Sequence, residues 1–511
     1  MAKFSGAQAQ PADVQGPVAT TDTRVLTHEG GVGWARDAKS DLFLLAVTNM
    51  VGEDTFYEAR QDRDERFRSL VAAVVAEDPA WVARFVPYLR DTMQMRSAAV
   101  VLACEYVRAG GPHGRAVVDS ACSRPDEPAE VLGYWASRYG RRFPQPVKRG
   151  VADAAVRLYD EKAVLRYDGQ SRSWRMGDVI ELVHPKPKAE WQQLLFRFLL
   201  DNRHHNDGMS KVDGSLPLLA AARRLEETPD AGRRALIREP GVLAEAGFSW
   251  ERLSGWLPGG MDAEAWEAVV PSMGYMALLR NLRNFDEAGV SDEVAEAVGK
   301  RLADPDEVAR SRQFPMRFLS AWKATRSLRW GSYVEKALQL SLANVPVLAG
   351  RTLVMVDVSG SMRDHLSGRS ELQRWEAAAV FGAALAVRNR GATLAAYDTR
   401  PRVVPATTSA SVLRIVGDIG EMVGGGTNTM ACLHSLWDGH DRVVILTDEQ
   451  AHDSGYDDSS IPLVYTFNLA GCAPAHLPSG RRGRYTFGGL TDAAFAMLPQ
   501  LERHRDASWP F

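Results

Sequence analysis

The sequence predicts two architectures in one chain: an all-α solenoid of helix pairs, then an α/β doubly wound sheet. Three observations lead there. Residues 38–345 place apolar side chains at helical spacing and are broken at short intervals by Gly and Pro. From residue 349 onward, short apolar runs alternate with helical stretches, the pattern of a parallel sheet. The change falls at Ala343-Asn344-Val345-Pro346, just before the first strand-like run.

Taken in order, residues 1–22 are rich in Gln, Ala, Pro and Thr and are expected to be disordered. Residues 23–346 form the expected helical domain. Its helical spacing is plainest at Trp81, Phe85 and Leu89, and again at Ala98, Val101, Leu102 and Tyr106. Breaks at Gly110-Gly111-Pro112, Gly140, Gly150, Pro185, Gly241, Gly259-Gly260 and Pro305 divide it into helix pairs. No strict period repeats, so the units are degenerate and HEAT-like. Residues 347–511 form the α/β domain. Strands are expected at 352–357, 393–398, 442–447 and 462–467, and helices at 371–390, 410–422 and 429–437.

Ligands of a doubly wound sheet bind at the carboxyl ends of its strands. The first strand ends in Asp357-Val358-Ser359-Gly360-Ser361. Gly424-Gly425-Gly426-Thr427 follows, and the run Arg442–Thr447 ends against Asp448. Two carboxylates and three hydroxyls suit a small, oxygen-seeking cation such as Mg²⁺. Ser359, Ser361 and Thr427 are the expected direct ligands, with Asp357 and Asp448 binding the ion or its waters. A hydroxyl-rich set leaves the ion positive enough to accept a partner's carboxylate or phosphate. The competing bland reading is a Ser-rich turn that caps the next helix. An aspartyl-phosphate enzyme would need a second acid where Ser359 stands, and a later lysine. No Lys follows Lys336.

At 511 residues, with 45% hydrophobic and 24% charged residues, the composition is that of a globular chain of two or three domains. No run is long and apolar enough to span a membrane, and the first residues lack a signal-peptide pattern. Cys104, Cys122, Cys432 and Cys472 are widely spaced, which suits buried thiols in a reducing cytoplasm. His204 and His205 lack a third ligand at useful spacing and read as a polar loop.

The formal net charge is only −3, but it is unevenly distributed. Residues 138–188 hold twelve Lys or Arg against six Asp or Glu, a net of +6. Residues 349–511 carry 15 against 17, or −2, which leaves −7 for the remainder. One basic patch on an acidic chain is a local electrostatic footprint. Its candidates for phosphate contact are Lys148, Arg149, Arg166, Arg172, Arg175, His184 and Lys186. Tyr159, Tyr167 and Trp174 are interleaved with them, either as stacking partners or as core.

The motif Asp-x-Ser-x-Ser, with Thr427 and Asp448, resembles the metal-ion-dependent adhesion site of von Willebrand factor A domains. Three further stretches resemble the TROVE proteins, the Ro autoantigen family. They are Glu29-Gly30-Gly31-Val32-Gly33-Trp34, Trp174 through His184-Pro185-Lys186-Pro187, and Pro271-Ser272-Met273 through Leu282. The resemblance implies a helical ring closed by the A domain, monomeric and non-enzymatic. It implies binding of small noncoding Y-like RNA on a basic outer face and of misfolded RNA 3′ ends in the ring. It also implies a role beside a 3′-to-5′ exoribonuclease. Family RNA contacts carry over to Arg166, Arg172 and His184. The loop from Arg166 to Trp174 is one residue longer than the family pattern, so Gln170 and Arg175 stand as alternatives to Arg172. The rival reading is a metal-dependent protein-interaction module with a peptide-binding solenoid. A metal-assisted hydrolase is disfavoured, because no His base lies near the hydroxyl-rich motif.

Overall fold

The computed structural model describes residues 20–26, 32–47, 60–169, 171–205, 214–239, 241–325, 327–365, 371–448, 460–469, 483–488, 492–503 and 509–511. The expected disorder of the first residues therefore lies outside the described residues up to position 19, as does Cys472. The chain divides into two compact units. One comprises Val71–Glu307 with Ala324–Tyr333; the other comprises Met1–Leu70, Val308–Lys323 and Val334–Phe511.

The first unit is helical throughout its described residues. Its helices pair closely where the sequence supplies small residues. Helix Gly114–Ser120 packs on Gln145–Leu158. A Cβ on Gly150 would stand 2.6 Å from the Arg115 carbonyl oxygen, so only glycine permits this approach. Helix Met176–Val183 packs on Glu190–His204 in the same way, and a Cβ on Gly177 would stand 2.6 Å from the Leu199 carbonyl oxygen. Further along, Trp250, Trp266, Phe285 and Trp330 form a run of ring contacts with centroids 5.6, 5.1 and 6.3 Å apart. Each such pair contributes about 0.5–1.5 kcal/mol beyond its buried area.

The second unit holds two sheets. β1 (Thr20–Leu26) and β2 (Val32–Arg36) form an antiparallel pair, so the segment expected to be disordered to residue 22 already runs into a strand at Thr20. The larger sheet contains β3 (Thr352–Asp357), β4 (Ala392–Tyr397), β5 (Pro401–Val404), β6 (Arg442–Thr447), β7 (Val464–Asn468) and β8 (Arg484–Gly488). Their order is β5-β4-β3-β6-β7-β8, parallel except for β5. β3 and β6 are buried at every position, as central strands covered on both faces must be. Helix Arg374–Arg388 lies on β3 and is buried from Glu376 to Val387. Gly382 allows that contact, since its Cβ would meet Val356 Cγ2 at 2.7 Å. The amino-terminal helix Ala38–Val47 also belongs to this unit, with Phe43 5.1 Å from Trp509 between ring centroids.

The observed class, helical repeats plus a doubly wound sheet, is the expected one. β5 and β8 were not expected. Each is short, and β5 opens with a proline and exposes Val403, as a strand at a sheet edge tolerates. The helices bounded by Val308–Lys323 and Val334–Ser341 belong to the compact unit that holds the sheet, although they precede it in sequence.

Candidate metal centre and basic face

β4 lies on one side of β3 and β6 on the other, so the chain switches direction at β3. The crevice at such a switch, beyond the carboxyl ends of the strands, is where these sheets bind ligands. Val356 pairs with Leu446, which carries Asp357 and Asp448 to the same end of adjacent strands. The glycine loop is tied to this end by two backbone hydrogen bonds. Gly360 N donates to the Gly425 carbonyl at 3.0 Å, and Gly424 N donates to the Val358 carbonyl at 2.7 Å. Gly425 holds φ +90°, and a Cβ there would stand 3.2 Å from Asp398 Oδ2. The loop needs glycine at this point on both counts.

All five sequence-predicted residues meet in this region. Asp357 and Asp448 are fully buried, and Ser359 and Thr427 are nearly so. Ser359 Oγ lies 3.3 Å from Ser361 Oγ. Asp357 accepts hydrogen bonds from Thr447 Oγ1 at 2.6 Å and from Ser359 N at 2.8 Å. Burial first, and then the neighbouring Asp448 carboxylate, push the Asp357 carboxyl up to about 7. Two buried acids beside paired hydroxyls are the donor set of a hard divalent cation, and a bound cation would offset their repulsion. Among the described residues no group of three or more His, Cys, Asp or Glu gathers at a metal-binding distance, so the hydroxyls are essential to this donor set.

Sequence reasoning missed Arg374. Its Nη1 lies 3.7 Å from Asp448 Oδ2 and 3.2 Å from Asp364 Oδ2, which sets a fixed positive charge beside the acids. A lone arginine opening a helix carries no sequence signal for this role.

The basic window lies in the helical unit. Arg149, Lys162, Arg166, Arg172, His184, Lys186 and Lys188 are exposed, and Lys148 is half-buried. His184 caps the helix Met176–Val183 in the left-handed conformation, φ 46° and ψ 60°. That conformation is costly for a residue with a Cβ and is concentrated at functional positions. Trp174 is half-buried, with Phe143 at 6.2 Å and the Arg141 guanidinium 5.8 Å from its ring. Tyr159 is core, 1% exposed.

Arg175 departs from the expectation. It is 7% exposed and donates to Asp168 Oδ2 at 2.7 Å, itself 1% exposed, and to the Asn202 carbonyl. Its guanidinium fastens the loop to the helix below and does not face solvent. Arg172, by contrast, is exposed and lies 3.6 Å from Asp126. Of the two described alternatives for that contact, only Arg172 can meet a solvent-borne phosphate; Gln170 lies outside the described residues.

The family profile described as the TROVE domain matches residues 227–358. The match covers about a quarter of the chain and places a TROVE-like segment there. The chain is 27% identical over 257 residues to the RNA-binding protein RO60 of Deinococcus radiodurans, a stretch that covers 46% of this chain and 44% of that relative. It is 37% identical over 97 residues to telomerase protein component 1 of Mus musculus, covering 19% of this chain and 3% of that one. The chain thus matches less than half the length of either relative. The crystal structure of the Deinococcus radiodurans RO (RSR) protein aligns with a TM-score of 0.69 at 19% identity, covering 91% of this chain and 99% of that one. At that identity the likeness is one of fold. The profile match ends just past Asp357, and the basic window precedes it, so the candidate RNA contacts rest on their own geometry.

Proposed function

We propose that this protein is a non-enzymatic RNA-binding member of the TROVE family. It holds a small structured Y-like noncoding RNA on the exposed basic face of its helical unit. It also takes single-stranded 3′ ends of misfolded RNAs, and hands RNA to a 3′-to-5′ exoribonuclease during quality control in the cytoplasm. The observation that carries this reading is the exposed set Arg149, Lys162, Arg166 and Lys186, none of which has a salt bridge among the described residues. Unmatched cations on one face bind phosphate with release of counterions. The similarity to the RNA-binding protein RO60 of Deinococcus radiodurans supports the RNA-binding part of this reading.

Asp357, Ser359, Ser361, Thr427 and Asp448 would hold Mg²⁺. The ion would supply an open coordination position for a partner's carboxylate or phosphate. The buried acid pair beside two hydroxyls supports this role, and it favours as a second reading a metal-dependent protein-interaction module.

The test is to recover the protein from its native cells and sequence the bound RNA, beside an Arg166→Glu/Arg172→Glu/His184→Ser variant. One dominant small RNA, lost from the variant, is the expected result. If no RNA is enriched, or if the variant retains it, the reading fails. Protein partners lost only in Asp357→Ala would then favour the interaction module.

A further inference from the structure

Asp126 stands at the N-cap of the helix Glu127–Tyr139, yet its side chain makes no capping hydrogen bond. An N-cap aspartate ordinarily accepts from the first turn of its own helix. Here the carboxylate, buried to 3% exposure, meets three guanidinium groups instead. Arg96 Nη2 lies 2.8 Å from its Oδ2, Arg124 Nη2 3.1 Å and Arg172 Nη1 3.6 Å. The three come from separate places: the start of one helix, the turn before another, and the long loop of the basic window.

Arg96 is also bound by Glu127 and Glu130. Among the described residues Arg124 and Arg172 pair with no carboxylate but Asp126, and each side chain is 41% exposed. Tyr167 lies beside them, with the Arg124 guanidinium carbon 5.3 Å and the Arg166 carbon 5.5 Å from its ring centroid. Arg124 and Arg166 thus flank one tyrosine, and one buried acid ties Arg124 to Arg172. Guanidinium forks fit phosphate oxygens, and guanidinium planes and tyrosine rings stack with unpaired bases.

We propose that Asp126 is a positioning residue for RNA, holding Arg124 and Arg172 beside Arg166 and Tyr167 to receive one unpaired nucleotide. Its phosphate meets the Arg124 and Arg172 forks, and its base extends the stack on Arg166 and Tyr167. This rests on the RNA-binding reading above. It adds Arg124 to the contacts and assigns an acid a favourable part in binding a polyanion.

That sign makes the proposal testable. Fluorescence anisotropy with a labelled RNA hairpin bearing an unpaired loop would compare the wild type with Asp126→Asn, Asp119→Asn, Arg124→Lys and Arg166→Glu. Asp119 pairs with Arg157 on the same unit, so Asp119→Asn makes the same charge change at an acid paired with neither Arg124 nor Arg172. Charge alone predicts tighter binding by both Asn variants. Positioning predicts that Asp126→Asn weakens binding about tenfold while Asp119→Asn does not. Arg124→Lys keeps the charge, removes the fork, and is expected to weaken binding similarly. It decides the matter if Asp126→Asn fails to fold by circular dichroism. Wild-type binding lost in Arg166→Glu but unchanged or tighter in Asp126→Asn, or unchanged in Arg124→Lys, overturns the positioning role alone. A wild type that binds no RNA overturns both readings.

Discussion

At the scale of single residues, two neighbouring arginines separate what the basic window does from what holds it in place. Arg166 is exposed, so Arg166→Gln should leave the melting temperature unchanged and weaken RNA binding. Arg175 is buried against Asp168, and removing one partner of a buried pair leaves an uncompensated charge. Arg175→Gln should therefore cost about 3–5 kcal/mol of stability, read from a shifted thermal or denaturant transition. His440 offers a pH test just before β6, at the opposite end of that strand from Asp448. It is 2% exposed, accepts from Asp438 N through Nδ1 and faces Thr393 Oγ1 through Nε2. Burial, and then Arg351, hold its pKa below the ordinary imidazole value. Below about 6.5 the unfolded chain takes up a proton that the folded imidazole resists, so stability falls as pH drops through that range. Thermal melts of wild type and His440→Gln from neutral to mildly acidic pH should converge in slope for the variant and steepen for the wild type. Parallel curves would remove His440 from the account.

At the scale of elements, the cluster of Asp357, Ser359, Ser361, Thr427 and Asp448 was legible because strand ends and glycine loops leave marks in sequence. Asp357 and Asp448 each close an apolar run, and Gly424 to Gly426 mark a loop whose positive φ at Gly424 and Gly425 favours glycine. What was not legible was the pairing that brings distant segments together. Arg374 beside Asp448, and Arg124 beside Tyr167, depend on tertiary packing and have no spacing signature. Arg175 was misread for a related reason. Charge counts treat all arginines alike, while burial assigns this one to Asp168. The loop itself is open to test. Gly425→Ala places a Cβ at φ +90° and 3.2 Å from Asp398 Oδ2, and should cost about 1–3 kcal/mol. Magnesium should raise the melting temperature of chelator-treated wild type, by about 2.7 kcal/mol of stability at a hundredfold excess over Kd. That rise should shrink in Gly425→Ala and vanish in Asp357→Ala. An equal rise in all three would place the ion elsewhere.

At the scale of the whole molecule, the charge distribution determines how RNA affinity should respond to salt. The chain carries −3 overall, with +6 gathered in residues 138–188. With a low net charge overall, affinity should depend on a few exposed cations rather than on a diffuse field. Each phosphate neutralised by a single-stranded RNA site contributes about −0.7 to the slope of log affinity against log salt. Lys186→Gln removes one exposed cation from the patch. It should weaken all RNAs alike and reduce the slope by about one phosphate contact. Lys300 lies on the same helical unit but is paired with Glu296 at 2.7 Å, so Lys300→Gln should change neither affinity nor slope. Titrations of both variants across a range of salt separate the possibilities. A slope lowered equally by the two would mean that the RNA senses the unit's total charge and that the basic window has no privileged place in binding.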